Sequence, residues 1–313
     1  MNKKLKIIFA GTPQFAVPTL ERISNVSFEI ICVLTQPDSK AGRGMRTAPS
    51  HVKNAANKLG LLIMQPQSLN SPEVFNTIKD LKADILVVAA YGLIIPEKIL
   101  NLFNKGCFNV HASLLPRWRG AAPIHRAIES GDNKIGVTIM KVVNKLDAGP
   151  MVRKISLDLL AQSTTGEMMN LMALKGAELM AEVLEDIAKG NEITSSVQDE
   201  TKVTYANKIN KTEGKLDLDD SSDKLVRKIK AFNPYPGITY IFRGKILKIW
   251  DAIPMHLLPI KNFSPGDLIT IDKKLILVLN RGALELFEVQ LEGANKISGK
   301  EFIKRYNLDN RDA

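Results

Sequence analysis

The residues best equipped for chemistry lie in Phe108-Asn109-Val110-His111-Ala112-Ser113-Leu114-Leu115-Pro116. If the apolar run 107–111 is a strand, Asn109 and His111 stand two apart and project from one face at its carboxyl end. An amide that donates to a developing oxyanion, beside an imidazole that donates or shuttles a proton, is equipment for acyl-type transfer. The plainer reading is a strand-end Asn and His that bond to loops. An imidazole in a catalytic role is usually oriented by a carboxylate. Asp147, in Asn144-Lys145-Leu146-Asp147-Ala148-Gly149-Pro150, is the candidate. Taken alone it reads as a turn aspartate bonding its own backbone, and only its combination with His111 raises it. A Ser113–His111–Asp147 arrangement is also available. Ser113 is flanked by Ala112 and Leu114 rather than by the glycines of a nucleophile elbow, so it reads as a loop or ligand-contact residue.

These residues need elements to hold them. Short β-branched runs at 6–10, 28–34, 84–90, 107–111, 136–140 and 151–155 alternate with helical patterns at 18–24, 50–59, 71–81 and 123–130. The expectation is a doubly wound, mostly parallel α/β sheet, with ligands bound outside the carboxyl ends of its strands. A helix from about 165 to 189 carries Met168, Met172, Leu179, Met180, Val183, Leu184 and Ile187 at helical spacing, read as core packing, and Gly190 ends it. Residues 191–206 are polar and weakly patterned and read as a linker. After them come a short helix at 222–232 and strands at 237–242, 245–253, 267–271, 275–279 and 283–290. Five short strands in about 80 residues predict a small barrel of the oligonucleotide-binding type. The organisation expected is therefore 1–190, a linker 191–206, and 207–313.

Charge narrows the partner. The 313 residues carry 43 Lys+Arg against 33 Asp+Glu, a formal net charge of +10. That excess points to an anionic partner, and both halves share it. The loop Gln36-Pro37-Asp38-Ser39-Lys40-Ala41-Gly42-Arg43-Gly44-Met45-Arg46 is basic, glycine-punctuated and on the ligand side of the sheet, so Lys40, Arg43 and Arg46 invite a phosphate-backbone role. Arg117-Trp118-Arg119-Gly120 is a second basic turn, whose Trp118 either stacks on a base or packs on the sheet. The first βα turn, Gly11-Thr12-Pro13, has one glycine where a dinucleotide fingerprint needs three. Two Cys in apolar runs exclude a disulfide scaffold, and four scattered His give no zinc spacing, so no metal is expected. The most apolar segment, 85–96, falls short of the ~20 residues that span a bilayer. A soluble, cytoplasmic chain without a membrane partner is expected.

The motifs Phe9-Ala10-Gly11-Thr12-Pro13, Ala41-Gly42-Arg43-Gly44, Asn109 to Pro116, Arg119-Gly120-Ala121-Ala122-Pro123-Ile124, Leu146-Asp147-Ala148-Gly149-Pro150-Met151, Thr204-Tyr205-Ala206-Asn207-Lys208-Ile209 and Phe232-Asn233-Pro234-Tyr235-Pro236-Gly237 together resemble the methionyl-tRNA formyltransferase family. The Asn/His/Asp core alone resembles all formyltetrahydrofolate-using transferases and hydrolases. The resemblance implies formyl transfer from 10-formyltetrahydrofolate to the α-amino group of methionyl initiator tRNA, and the length and motif content suggest a monomer. It implies that Asn109 and His111 stabilise the tetrahedral oxyanion and that Asp147 orients His111 and assists proton movement. It further implies that Ser113, Leu114, Leu115 and Pro116 line the folate site. Arg43 would enter the acceptor end, and Lys208 would lie near the tRNA. Where the family commonly has Thr, this chain has Ala148. A glycinamide ribonucleotide formyltransferase, a formyltetrahydrofolate hydrolase and a non-catalytic RNA-binding protein are the rival readings. The first leaves the barrel and basic loop unexplained, and the last leaves Asn109, His111 and Asp147 unexplained.

Overall fold

A computed structural model describes residues 4–25, 28–41, 46–255 and 263–308. The chain divides into two compact units, one of Met1–Pro123, Lys134–Leu157 and Met169–Ala206, the other of Ile124–Asn133, Asp158–Met168 and Asn207–Ala313.

The first unit is built on seven strands: Lys6–Gly11 (β1), Glu29–Leu34 (β2), Ile63–Met64 (β3), Ile85–Ala89 (β4), Cys107–His111 (β5), Lys134–Lys141 (β6) and Met151–Asp158 (β7). Their order is β7-β6-β5-β4-β1-β2-β3. The pairs β3–β2, β2–β1, β1–β4 and β4–β5 are parallel, and β5–β6 is antiparallel. Alternation along the strands buries both faces. Ile8, Ala10, Cys32, Leu34, Leu86 and Val88 pack on one side with Ile78, Ile99 and Phe103, while Ile7, Phe9, Val33 and Val87 are equally buried. Helices Val17–Ser24 (α1), His51–Lys58 (α2) and Pro72–Asp80 (α3) follow β1, β2 and β3. Ser50 caps α2 by accepting the Lys53 N–H. Helices Pro123–Ser130 (α4) and Thr165–Lys189 (α5) come later in the chain. The methionine stripe of α5 is core: Met172, Met180, Val183 and Leu184 are wholly buried. Gly190, at φ +80°, ends that helix.

The segment read as a linker is ordered structure in the first unit. Its Gln198 is buried, and its Tyr205–Ala206 forms a parallel two-residue ladder with Arg119–Gly120. Sequence polarity did not foretell this, because the segment is held by hydrogen bonds rather than by an apolar face.

In the second unit, helix Ser222–Ala231 (α6) is capped by Ser221. Five antiparallel strands follow: Ile238–Phe242 (β8), Lys245–Met255 (β9), Leu268–Ile271 (β10), Lys274–Val278 (β11) and Ala283–Leu291 (β12). The path is β8-β9-β12-β11-β10, with Ile297–Ser298 adding a short sixth strand beside β12. The Tyr240 hydroxyl of β8 donates to the Gly266 carbonyl just before β10, so the two ends of the path approach one another. A terminal helix, Gly299–Tyr306 (α7), was not foreseen from the strand pattern. Ser298 and Glu301 form its capping box.

Candidate active site

Val110, between Asn109 and His111, lies under α5, where a Cβ on Gly176 would stand 2.5 Å from its Cγ1. Alternation therefore turns Asn109 and His111 to the opposite face, at the carboxyl end of β5. Register sets their level: Asn109 pairs with Val88 and Met140, and His111 with Thr138. Asn109 is half-buried. His111 is buried at 6% exposure.

One imidazole nitrogen is hydrogen-bonded and the other faces a carboxylate. Nε2 lies 2.9 Å from the Trp118 carbonyl; a carbonyl only accepts, so that proton is assigned to Nε2. Nδ1 stands 3.6 Å from Asp147 Oδ2. Asp147 Oδ2 also accepts the Gly120 N–H at 2.8 Å. Asp147 is thus more than a turn residue closing on its own backbone. The structure brings its carboxylate beside His111.

Ser113 is tied to its own loop: its hydroxyl donates to the Arg117 carbonyl at 2.7 Å. Thr138, unremarked in the sequence, pins the same loop from β6: its Oγ1 donates to the Ser113 carbonyl at 2.7 Å and accepts the Leu115 N–H at 3.3 Å. Leu115 is buried, while Leu114 and Pro116 are half-buried. The rim is tied across strands as well, because Thr12 after β1 donates to the Tyr91 carbonyl after β4.

The second basic turn divides. Trp118 is half-buried with the Arg117 guanidinium over its ring at 4.3 Å. Arg119, read from the sequence as one cation of a basic turn, is fully buried. Its Nε donates to Gln198 Oε1 at 3.0 Å and its Nη2 to Glu200 Oε1 at 2.8 Å. No periodicity signals this role, since the burial comes from the 198–206 segment folding over the turn.

Of the expected anion contacts, Arg43 lies outside the described residues. The flanking backbone does form a short antiparallel hairpin, Ser39–Ala41 with Arg46–Ala48, which contains the backbone of Lys40 and Arg46. Asp38 at its base accepts from Lys53 Nζ at 2.8 Å and from Gln65 at 2.7 Å. Lys208 belongs to the second unit and is exposed. Among the described residues, no group of three or more His, Cys, Asp or Glu is placed to hold a metal ion. No helix among them is long and apolar enough to cross a membrane.

Comparison with known proteins gives the family of the chain. The formyl transferase model matches residues 3–184, and the formyl transferase C-terminal domain model matches residues 208–307. The methionyl-tRNA formyltransferase of Methylococcus capsulatus is 44% identical over 304 residues, covering 97% of this chain and 98% of its own. That of Methylobacillus flagellatus is 42% identical over 299 residues, covering 96% of each. In fold, the chain is similar to HypX from Aquifex aeolicus crystallised with tetrahydrofolic acid, at TM-score 0.62 and 14% identity, over 97% of this chain and 48% of that longer one.

Proposed function

Because the chain belongs to the formyl transferase family, and within it to the methionyl-tRNA formyltransferases, we propose that it moves the formyl group of 10-formyltetrahydrofolate onto the α-amino group of methionyl initiator tRNA. The observation that carries the mechanism is the strand-end cluster of Asn109 and His111, with the His111 ring bonded to the Trp118 carbonyl and Asp147 beside its other nitrogen.

The attacking amine is already a nucleophile, so the protein needs no nucleophile of its own. Its tasks are alignment, charge stabilisation and proton movement. As the amine nitrogen bonds to the formyl carbon, the carbonyl oxygen gains charge, and the Asn109 N–H donates to it. With Nε2–H committed to the Trp118 carbonyl, Nδ1 is the nitrogen left to take the proton the amine must lose. The imidazolium so formed stands beside the Asp147 carboxylate and the oxyanion. The proton then goes to the nitrogen of the departing tetrahydrofolate as the carbon–nitrogen bond breaks. This extends the role the family resemblance gives His111, which joins Asn109 at the oxyanion once protonated.

In this reading Ser113, Leu114, Leu115 and Pro116 border the folate site. Lys40, Arg43, Arg46 and Lys208 meet tRNA phosphates. Residues 1–190 carry the chemistry, 207–313 grip the tRNA, and the enzyme works as a monomer in the cytoplasm. Supplying 10-formyltetrahydrofolate with methionyl initiator tRNA, uncharged tRNA, glycinamide ribonucleotide or water alone separates the rival acceptors. The expected product is formylmethionyl-tRNA, at a rate falling steeply with salt. Faster transfer to glycinamide ribonucleotide or to water overturns the assignment.

A further inference from the structure

Asp147 must present its carboxylate to His111 from a backbone at φ +45°, a left-handed conformation that a non-glycine residue holds only when its surroundings impose it. Gln198 imposes it from behind: its Nε2 donates to the Asp147 carbonyl at 2.7 Å and to the Gly149 carbonyl at 2.8 Å. Both donors of one amide are thereby spent on the loop. Its oxygen accepts from Arg119 Nε, which fixes the amide's orientation. Arg119 is anchored in turn by Glu200, which also accepts from Lys145 Nζ at 3.1 Å in the same loop as Asp147.

The front of Asp147 is held by the same segment. Gly120, whose N–H donates to its carboxylate, is the partner of Ala206 in the two-residue ladder. Two residues before Gly120, the Trp118 N–H donates to Thr204 Oγ1 at 2.9 Å, and the Trp118 carbonyl receives His111 Nε2. Residues 198–206 therefore reach both Asp147 and the carbonyl on which His111 rests. A buried guanidinium with its Nη1 unpartnered among the described residues costs stability, so burial alone does not account for Arg119. What it holds does.

We propose that Arg119 and Gln198 are positioning residues for formyl transfer, a strut that holds the Asp147 backbone so that its carboxylate meets His111. The proposal rests on the function argued above and goes beyond it by giving the 198–206 segment a part in the chemical step. Neither residue touches the reacting atoms.

The test is a double-mutant cycle. Gln198→Met removes the donors and the acceptor, while Gln198→Glu keeps an acceptor for Arg119 and loses both N–H groups. Each is made in the wild type and with Asp147→Asn, and kcat, KM for both substrates and thermal unfolding are measured. The expectation is a kcat loss of about 10–100-fold for either substitution, as a small misplacement of a reacting group gives, with both KM values within about threefold. In the Asp147→Asn background the further loss should shrink to about twofold or less, because a residue that acts through Asp147 has little left to act on. Wild-type kcat in Gln198→Glu, the same loss in both backgrounds, or a loss confined to KM overturns the proposal. If Gln198→Met does not fold, the Gln198→Glu cycle decides alone, and Arg119→Lys, with one donor in place of a fork, replaces it should that variant also fail. A wild-type enzyme inactive toward methionyl-tRNA refutes the underlying function, and this proposal with it, before any variant is compared.

Discussion

Gly120 joins the stability of the first unit to its chemistry. Its φ of +121° lies in a region that side chains rarely adopt, and a Cβ there would sit 2.7 Å from the Ala206 carbonyl oxygen and 3.3 Å from its carbon. Both obstacles are backbone, so no rotamer change relieves them. Gly120→Ala should cost about 1–3 kcal/mol in backbone strain. Opening the ladder weakens the bonds that Ala121 and Ala122 make to the Ala206 carbonyl at 2.9 and 3.2 Å, about 1 kcal/mol each. The sum is about 3–5 kcal/mol, and at about 2–4 °C per kcal/mol it lowers the melting temperature of this unit by roughly 6–20 °C. Because the Gly120 N–H also holds Asp147, kcat should fall by about tenfold or more even where the protein is folded. Scanning calorimetry and steady-state formylation of methionyl-tRNA read the two effects. Gly60→Ala is the control: Gly60 has φ +66°, and among the described residues nothing beyond its chain neighbours lies within 4 Å of the added carbon. It should cost about 1–2 kcal/mol with kcat unchanged. A Gly120→Ala enzyme with wild-type melting and wild-type kcat refutes the coupling.

Further expectations concern charge, pH and thiol chemistry. Burial, then the neighbouring Arg126 cation, push His125 down to about 4 against the opposing Glu213. The unfolded chain then binds more protons between pH 6.5 and 4, so stability is intact above 6.5 and lost as pH falls toward 4. About 1–2 kcal/mol should go by pH 5. Urea unfolding of His125→Gln should show that much less acid sensitivity than the wild type, and an unchanged pH dependence would contradict it. Burial pushes the thiols of Cys32 and Cys107 up to about 11 and about 12. Native protein at pH 8 should leave both unreacted with a chromogenic disulfide reagent, while urea exposes two. Arg43→Ala should raise KM for tRNA severalfold and leave folate binding near wild type; equal harm to both would remove the separation of roles.

Much of the first unit was legible because its strands are buried on both faces and therefore read as continuous apolar runs. The second unit's strands were legible from turn residues such as Arg243-Gly244 and Arg281-Gly282. Asn109 and His111 could be paired from strand periodicity alone, since β5 ends at His111. Their partner Asp147 required a guess across about 36 residues of chain. Arg119 and Gln198 were out of reach: one read as a cation of a basic turn, the other as linker, and only a tertiary ladder buries them. Helix α7 lies beyond the last expected strand, and its one local signal is the capping pair of Ser298 and Glu301.

The central claim is that the strand-end amide of Asn109 stabilises charge in the transfer step rather than in binding. Single-turnover formylation by Asn109→Ala, with the dissociation constants of folate and methionyl-tRNA measured separately, addresses it directly. The rate of transfer should fall by about 10²–10³ with both dissociation constants near wild type. A transfer rate near that of the wild type, or a loss explained wholly by weaker binding, would contradict it.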